Sequence, residues 1–155
     1  MAATEAGHKI ASLKAPKLWH MSFSGQPSKK DLMEAKAKGY EVVINLRSPD
    51  ELDYDEKVVS KELGLEYYNG PLLNAQKEID PYAVITLEQI HKKTHHQKQL
   101  IHCSSGNRAA AWFAVHQIVK HFKHAEDAIR ASEKLGITKE PIREKVRRFE
   151  QALHF

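Results

Sequence analysis

A disulfide framework is ruled out first, because the 155-residue chain holds a single cysteine, Cys103. Stability must come from packing, and that thiol is free for chemistry. Glycine and proline are sparse, at 7 and 6 residues. No low-complexity tract or internal repeat is present, which sets aside collagenous, disordered and solenoid classes. No apolar run approaches the roughly 20 residues that cross a bilayer. The N-terminal stretch also lacks the apolar core of an export signal. No membrane partner and no export signal is therefore expected in this chain, with cytoplasm and periplasm both open. A dominant charge is missing too: 24 Lys and Arg stand against 20 Asp and Glu, interleaved, for a net charge of +4. Without a basic stripe interleaved with aromatics, nucleic acid is not an expected partner. A mildly basic surface suits small anionic substrates.

What remains is an ordinary globule, 41% hydrophobic and 28% charged, large enough for one core. Residues 1–16 are polar and aperiodic and read as a flexible arm, leaving 17–155 as one domain. Leu18 to Phe23 alternates like a strand and ends at the turn Ser24-Gly25-Gln26-Pro27. Ser28 and Asp31 have capping-box spacing for a helix that Gly39 stops. The β-branched run Glu41 to Leu46 is the signature of a strand buried on both faces. Then follow a charged helix from Glu51 to Leu63, a short strand from Leu65 to Tyr68, and a helix from Tyr82 to Gln97. Gln99 to His102 forms the next strand, Cys103 to Asn107 a tight loop, and Arg108 to Phe122 a helix. Helices from Ala125 to Leu135 and Glu140 to Leu153 close the chain, with Pro141 in a first turn. Alternation of this kind predicts a three-layer α/β/α sandwich with a mostly parallel sheet of about four to five strands. Its site lies at the carboxyl ends of the strands, where Cys103 falls.

A loop leaving a buried strand and entering a helix aims several backbone N–H groups at one point, and the helix dipole adds positive charge there. That arrangement is an anion cradle. Gly106 supplies the unusual backbone angles, and Ser104 and Ser105 are small enough to leave the mouth open. At the bottom, Cys103 sits in a field that favours thiolate over thiol. Arg108 adds a planar fork matched to two oxygens of phosphate or sulfate. Asn107 completes the loop as a further substrate-binding position. The side chain of His102, one residue earlier on an extended strand, faces away from that of Cys103 and has a supporting role, ordering the loop by hydrogen bonds.

Three stretches carry a family resemblance: Ser24-Gly25-Gln26-Pro27-Ser28, Val43-Ile44-Asn45-Leu46-Arg47 and His102-Cys103-Ser104-Ser105-Gly106-Asn107-Arg108-Ala109. They resemble the phosphatase-like domain of the bacterial beta-lactamase-hydrolase-like family, within the tyrosine and dual-specificity phosphatase superfamily, over roughly residues 18 to 135. The resemblance implies a cysteine phosphatase-like fold, Cys103 as nucleophile and Arg108 as phosphate clamp. It also implies phosphate-monoester hydrolysis through a cysteinyl-phosphate, on a phosphorylated small molecule or a phosphoprotein, with no cofactor. Three features depart from the standard tyrosine phosphatase pattern. Four residues, not five, separate Cys103 from Arg108. Ala109 stands where a Ser or Thr is usual. The region of Leu73 and Asn74, where the general-acid Asp falls in such phosphatases, has no carboxylate, so Asp80 is taken as the acid and Glu78 as the nearest substitute.

Two rival readings stay open: a rhodanese-like sulfurtransferase carrying a persulfide on Cys103, favoured by the short loop, and a non-catalytic phosphate- or anion-binding module, favoured by Ala109 and the missing Asp. Arg47 with Glu51 reads as a strand-to-helix ion pair near the site. The pairs His91/His95 and His121/His124 have metal-sharing spacing but no third ligand, so no metal is expected. Trp112 and Phe113 read as core packing.

Overall fold

The computed structural model describes residues 20–153. The expected arm, residues 1–16, lies outside the described residues, as do Leu18 and Trp19 of the expected first strand. Four strands, β1 (Met21–Ser24), β2 (Val42–Asn45), β3 (Glu66–Asn69) and β4 (Gln99–His102), form one sheet in the order β1-β4-β2-β3. Every pairing is parallel, with Phe23 and Ile44 both in register with Ile101. Six α-helices connect and cover it: α1 (Lys29–Ala37), α2 (Glu56–Glu62), α3 (Pro81–Thr94), α4 (Asn107–His121), α5 (Ala125–Glu133) and α6 (Glu140–Ala152).

The period-2 alternation of strand side chains divides the core between two faces. Val43 and Leu100 pack with Leu32, Ala35, Tyr40 and Leu65 beneath α1 and α2. Ile44 and Ile101 turn the other way, onto Leu87, Trp112, Phe113 and the rest of the larger cluster under α3 to α6. The result is the three-layer sandwich, with four strands. The central helix α4 is lined by Ala109, Ala110, Ala111 and Ala114, all buried. These small side chains let its backbone lie close to the sheet.

Local signals explain most of the boundaries. The capping box at Ser28 and Asp31 is formed in both directions, and Gly39, at φ 94°, ends α1 as expected. One expectation is corrected. The stretch from Glu51 to Leu63 is not one helix: Pro49–Glu51 is a single 3-10 turn, Leu52 is extended, and α2 begins at Glu56. Glu51 turns its carboxylate back onto the Ser48 N–H at 3.0 Å. Asp55 starts afresh as an N-cap, accepting from the Val58 N–H at 3.2 Å. Two competing caps break what charge pattern alone reads as continuous. Among the described residues no helix is long and apolar enough to cross a membrane.

Candidate functional site

Because β4 lies between β1 and β2, the loop after it emerges from the middle of the sheet. Its start is fixed by both neighbours: the Cys103 N–H donates to Ser24 O at 3.2 Å, and the Leu46 N–H donates to His102 O at 2.9 Å. Gly106, at φ 95°, then turns the chain into α4. That turn brings the Gly106 and Ala109 N–H groups onto the Cys103 sulfur at 3.1 and 3.4 Å. Cys103 is fully buried while Ser104 and Ser105 are exposed, so the sulfur lies beneath a pair of surface serines. No acidic residue stands in the first turn of α4, and the helix dipole acts there unopposed by its own side chains.

Two further segments press against this loop. Gly25 approaches so closely that a Cβ there would lie 2.7 Å from Ser104 O. On the other side, Asn107 accepts from the Thr138 and Lys139 N–H groups at 2.9 and 3.1 Å through Oδ1. Its Nδ2 donates to Ser105 Oγ and Thr138 Oγ1 at 3.3 and 3.2 Å. Asn107 therefore fastens the connection between α5 and α6 to the loop.

Arg108 lies beside Cys103 and is gripped end-on by Glu51, with Nη1 to Oε2 at 3.1 Å and Nη2 to Oε1 at 3.0 Å. Burial opposes its charge, but the Glu51 bonds and the neighbouring Cys103 outweigh burial and raise its pKa above the ordinary value. The Arg108 bonds, chief among several causes, hold the Glu51 carboxyl down at about 2, so Glu51 is an anion near neutrality and has no proton to give. Arg47 supports the pair from the far side, through Nε to Glu51 Oε1 at 3.1 Å and Nη1 to Gln26 Oε1 at 2.7 Å. With its guanidinium engaged in this way, Arg47 serves as a brace for Glu51. Sequence reading caught the pair of Arg47 and Glu51 but missed that Glu51 continues to Arg108, 57 residues away.

Behind the loop, His102 and Glu56 are both fully buried and hydrogen-bonded, Nε2 to Oε2, at 2.5 Å. The other ring nitrogen of His102 donates to Cys103 O at 3.2 Å. Glu56 was not singled out in sequence, since it sits in an acidic run where a solvated helix face is the ordinary reading.

The structure therefore brings Cys103, Ser104, Ser105, Gly106, Asn107 and Arg108 together in one loop turned about the Cys103 sulfur, with His102 behind it. Asp80 is placed differently: its carboxylate caps α3, accepting from the Tyr82 N–H at 3.0 Å. Glu78 is paired with Arg148 of α6 at 2.9 and 3.0 Å, and that pairing, its foremost cause, lowers its pKa. Asn74 shapes this segment by accepting from the Gln76 and Glu78 N–H groups at 2.9 and 3.0 Å. The histidines regroup relative to their sequence spacing: His91 meets His116 and Trp112, with ring centres 5.1 and 5.6 Å apart. Among the described residues, no group of three or more His, Cys, Asp or Glu side chains is placed to hold a metal ion.

No protein-family model matches the chain, and no curated protein matches it in sequence. Solved structures do. A putative phosphatase of the DUF442 group from Shewanella putrefaciens CN-32 is similar at 18% identity with a TM-score of 0.70, over 94% of this chain and 99% of that one. Kinase associated phosphatase, with a serine substituted for its catalytic-site cysteine, is similar at 16% identity and TM-score 0.74, over 86% of each chain. PTPMT1 in complex with PI(5)P is similar at 18% identity and TM-score 0.69, over 86% of this chain and 92% of that one. Likeness at this level of identity is a likeness of architecture, and the chain has the α/β fold of the tyrosine and dual-specificity phosphatases and of the DUF442 phosphatases.

Proposed function

We propose that this protein is a cysteine-dependent phosphatase that hydrolyses phosphate monoesters. The observation that carries the reading is the pair of backbone N–H groups, from Gly106 and Ala109, on the sulfur of Cys103, with Arg108 alongside. Donors to sulfur favour the thiolate, and an arginine whose outer edge is occupied by Glu51 keeps Nε and the inner side of Nη2 for two phosphate oxygens.

In this mechanism the Cys103 thiolate attacks phosphorus as the bond to the leaving oxygen breaks, and that oxygen takes a proton. Water then attacks the cysteinyl-phosphate, releasing phosphate and restoring the thiolate. The Ser104, Ser105 and Gly106 loop and Arg108 hold the equatorial oxygens. Asp80 is the proposed proton donor, and Asn107 keeps the cradle in shape. The substrate class is a phosphorylated small molecule or a phosphoprotein, and no cofactor enters the reaction.

Two observations favour a second reading, that of a phosphate-binding module: Asp80 is occupied as a helix cap, and Ala109 carries no hydroxyl. The short loop keeps sulfur transfer as the rival enzyme reading. Parallel assays of p-nitrophenyl phosphate hydrolysis and thiosulfate-to-cyanide transfer, on wild type and Cys103→Ser, separate the three. The phosphatase reading expects hydrolysis that Cys103→Ser abolishes. Sulfur transfer alone would overturn it, as would phosphate binding with neither activity. Asp80→Asn tests the acid cleanly, because Asn is as good an N-cap as Asp and stability is retained. Loss of activity with the protonated-acid limb of the pH profile supports Asp80, and an unchanged profile removes it.

A further inference from the structure

Glu56 is a carboxyl group with no solvent exposure, and groups of that kind are costly to bury unless every oxygen is engaged. Both of its oxygens are used, and each one leads to the loop. Oε2 bonds His102 Nε2 at 2.5 Å, and His102 Nδ1 donates to Cys103 O at 3.2 Å. Oε1 accepts from Gln26 Nε2 at 2.6 Å, and the Gln26 N–H donates to Ser104 O at 3.0 Å. One side chain thus fixes two successive carbonyls at the base of the loop, through the last residue of β4 and the turn that follows β1.

The peptide geometry gives this a consequence. No peptide bond in the described chain is cis, and in a trans peptide the C=O and the N–H that follows it point in opposite directions. Holding Cys103 O and Ser104 O outward therefore turns the N–H groups of Ser104 and Ser105 the other way, into the cradle. We propose that Glu56 is a positioning residue that aims the Ser104 and Ser105 amides at the bound oxyanion, acting through His102 and Gln26. The proposal rests on the anion-cradle part of the functional reading above.

The same amide of Gln26 extends the arrangement into a closed circuit. Its Oε1 accepts from Arg47 Nη1, Arg47 braces Glu51, and Glu51 grips Arg108. Cys103 and Arg108, the two ends of the loop, are joined by the chain His102, Glu56, Gln26, Arg47, Glu51. Gln26 cannot flip its amide to compensate for a change at residue 56, because the flip would present an NH2 group to Arg47. The circuit has one orientation, and Glu56 sets it.

Glu56→Ala removes both acceptors and leaves His102 and Gln26 without this partner. Since Cys103 is the only cysteine, its alkylation by iodoacetamide reads the site directly, and inorganic phosphate should protect it. Glu56→Ala is expected to weaken that protection by about tenfold or more, with a thermal midpoint that shows a folded protein. Glu56→Gln accepts from Gln26 through its amide oxygen and donates through its amide nitrogen to His102 Nε2, the ring proton lying on Nδ1, and is expected to recover most of the protection. A folded Glu56→Ala protein with unchanged protection overturns the proposal, as does a Glu56→Gln protein no better than Glu56→Ala. Should Glu56→Ala not fold, Gln26→Ala decides: weakened protection supports the proposal and unchanged protection overturns it. A wild type that phosphate protects but that shows no turnover would end the phosphatase reading and leave this one testable on protection alone.

Discussion

Glu51 occupies the outer edge of Arg108 with both carboxylate oxygens, at 3.0 and 3.1 Å. The pair turns the guanidinium so that its remaining N–H groups face Cys103. Glu51→Gln is expected to lower kcat/KM for p-nitrophenyl phosphate by about tenfold, because one of two charge-assisted bonds is lost and the fork is freer to swing. Stability follows the same carboxylate. Its folded pKa of about 2 lies below the ordinary 4.5, so its contribution is fully present above the ordinary value. It is lost as pH falls through that value toward the folded one. Urea midpoints of wild type and Glu51→Gln are expected to stand apart by a constant amount above that window and to converge within it as pH falls.

Close approach to Ser104 makes Gly25 a steric keystone. A Cβ there would meet Ser104 O at 2.7 Å, and that oxygen also accepts the Gln26 N–H. Gly25→Ala is expected to cost about 1 to 3 kcal/mol and to displace the Ser104 carbonyl. The diagnostic result is a variant that still folds but whose thermal midpoint no longer rises with added phosphate.

Asn107 allows stability and anion binding to be separated. Its Oδ1 accepts two backbone N–H groups and its Nδ2 donates twice. Asn107→Asp keeps the accepting function and adds a negative charge at the mouth of the cradle. Asn107→Ala loses everything and leaves two partly buried N–H groups unpaired, at about 1 to 3 kcal/mol. The Asp variant is expected to unfold at nearly the wild-type urea midpoint yet bind phosphate far more weakly. The Ala variant is expected to lose midpoint first.

The parts of the fold that could be read from sequence were those encoded within a few residues. The β-branched run at Val42 to Ile44, the Ser28 and Asp31 box, and the loop from Cys103 to Arg108 each carry their own local signal. The roles of Glu51 and Glu56 could not be read. Their partners lie 57 and 46 residues away, and an acidic stretch from Asp50 to Glu56 has the same composition whether it faces solvent or the site. The break before α2 was missed for a related reason. Periodicity registers charge but not which of several carboxylates turns back to cap the chain. Gln26 illustrates the limit from the other side, since its place in a turn was evident while the three segments it joins were not.

His91 gives the last expectation, and its sign follows from burial. Burial is the main cause that lowers its pKa below the ordinary 6.5, against the opposing hydrogen bond with Gln99; His116 lowers it further and Glu88 raises it. The folded chain therefore prefers the neutral ring, held by Gln99 Oε1 at 3.2 Å and set against Trp112. Above 6.5 the ring is neutral in both folded and unfolded states and contributes no pH dependence. Below it, the unfolded chain binds more protons and stability falls. Gln at this position keeps the bond to Gln99 and cannot be protonated. His91→Gln is expected to be less stable than wild type near about pH 7.5, where the ring packing is missed, and to close much of that gap near about pH 5.5. Urea midpoints at the two pH values check this, and a gap that stays constant or widens on acidification would show that His91 is not a group the fold keeps neutral.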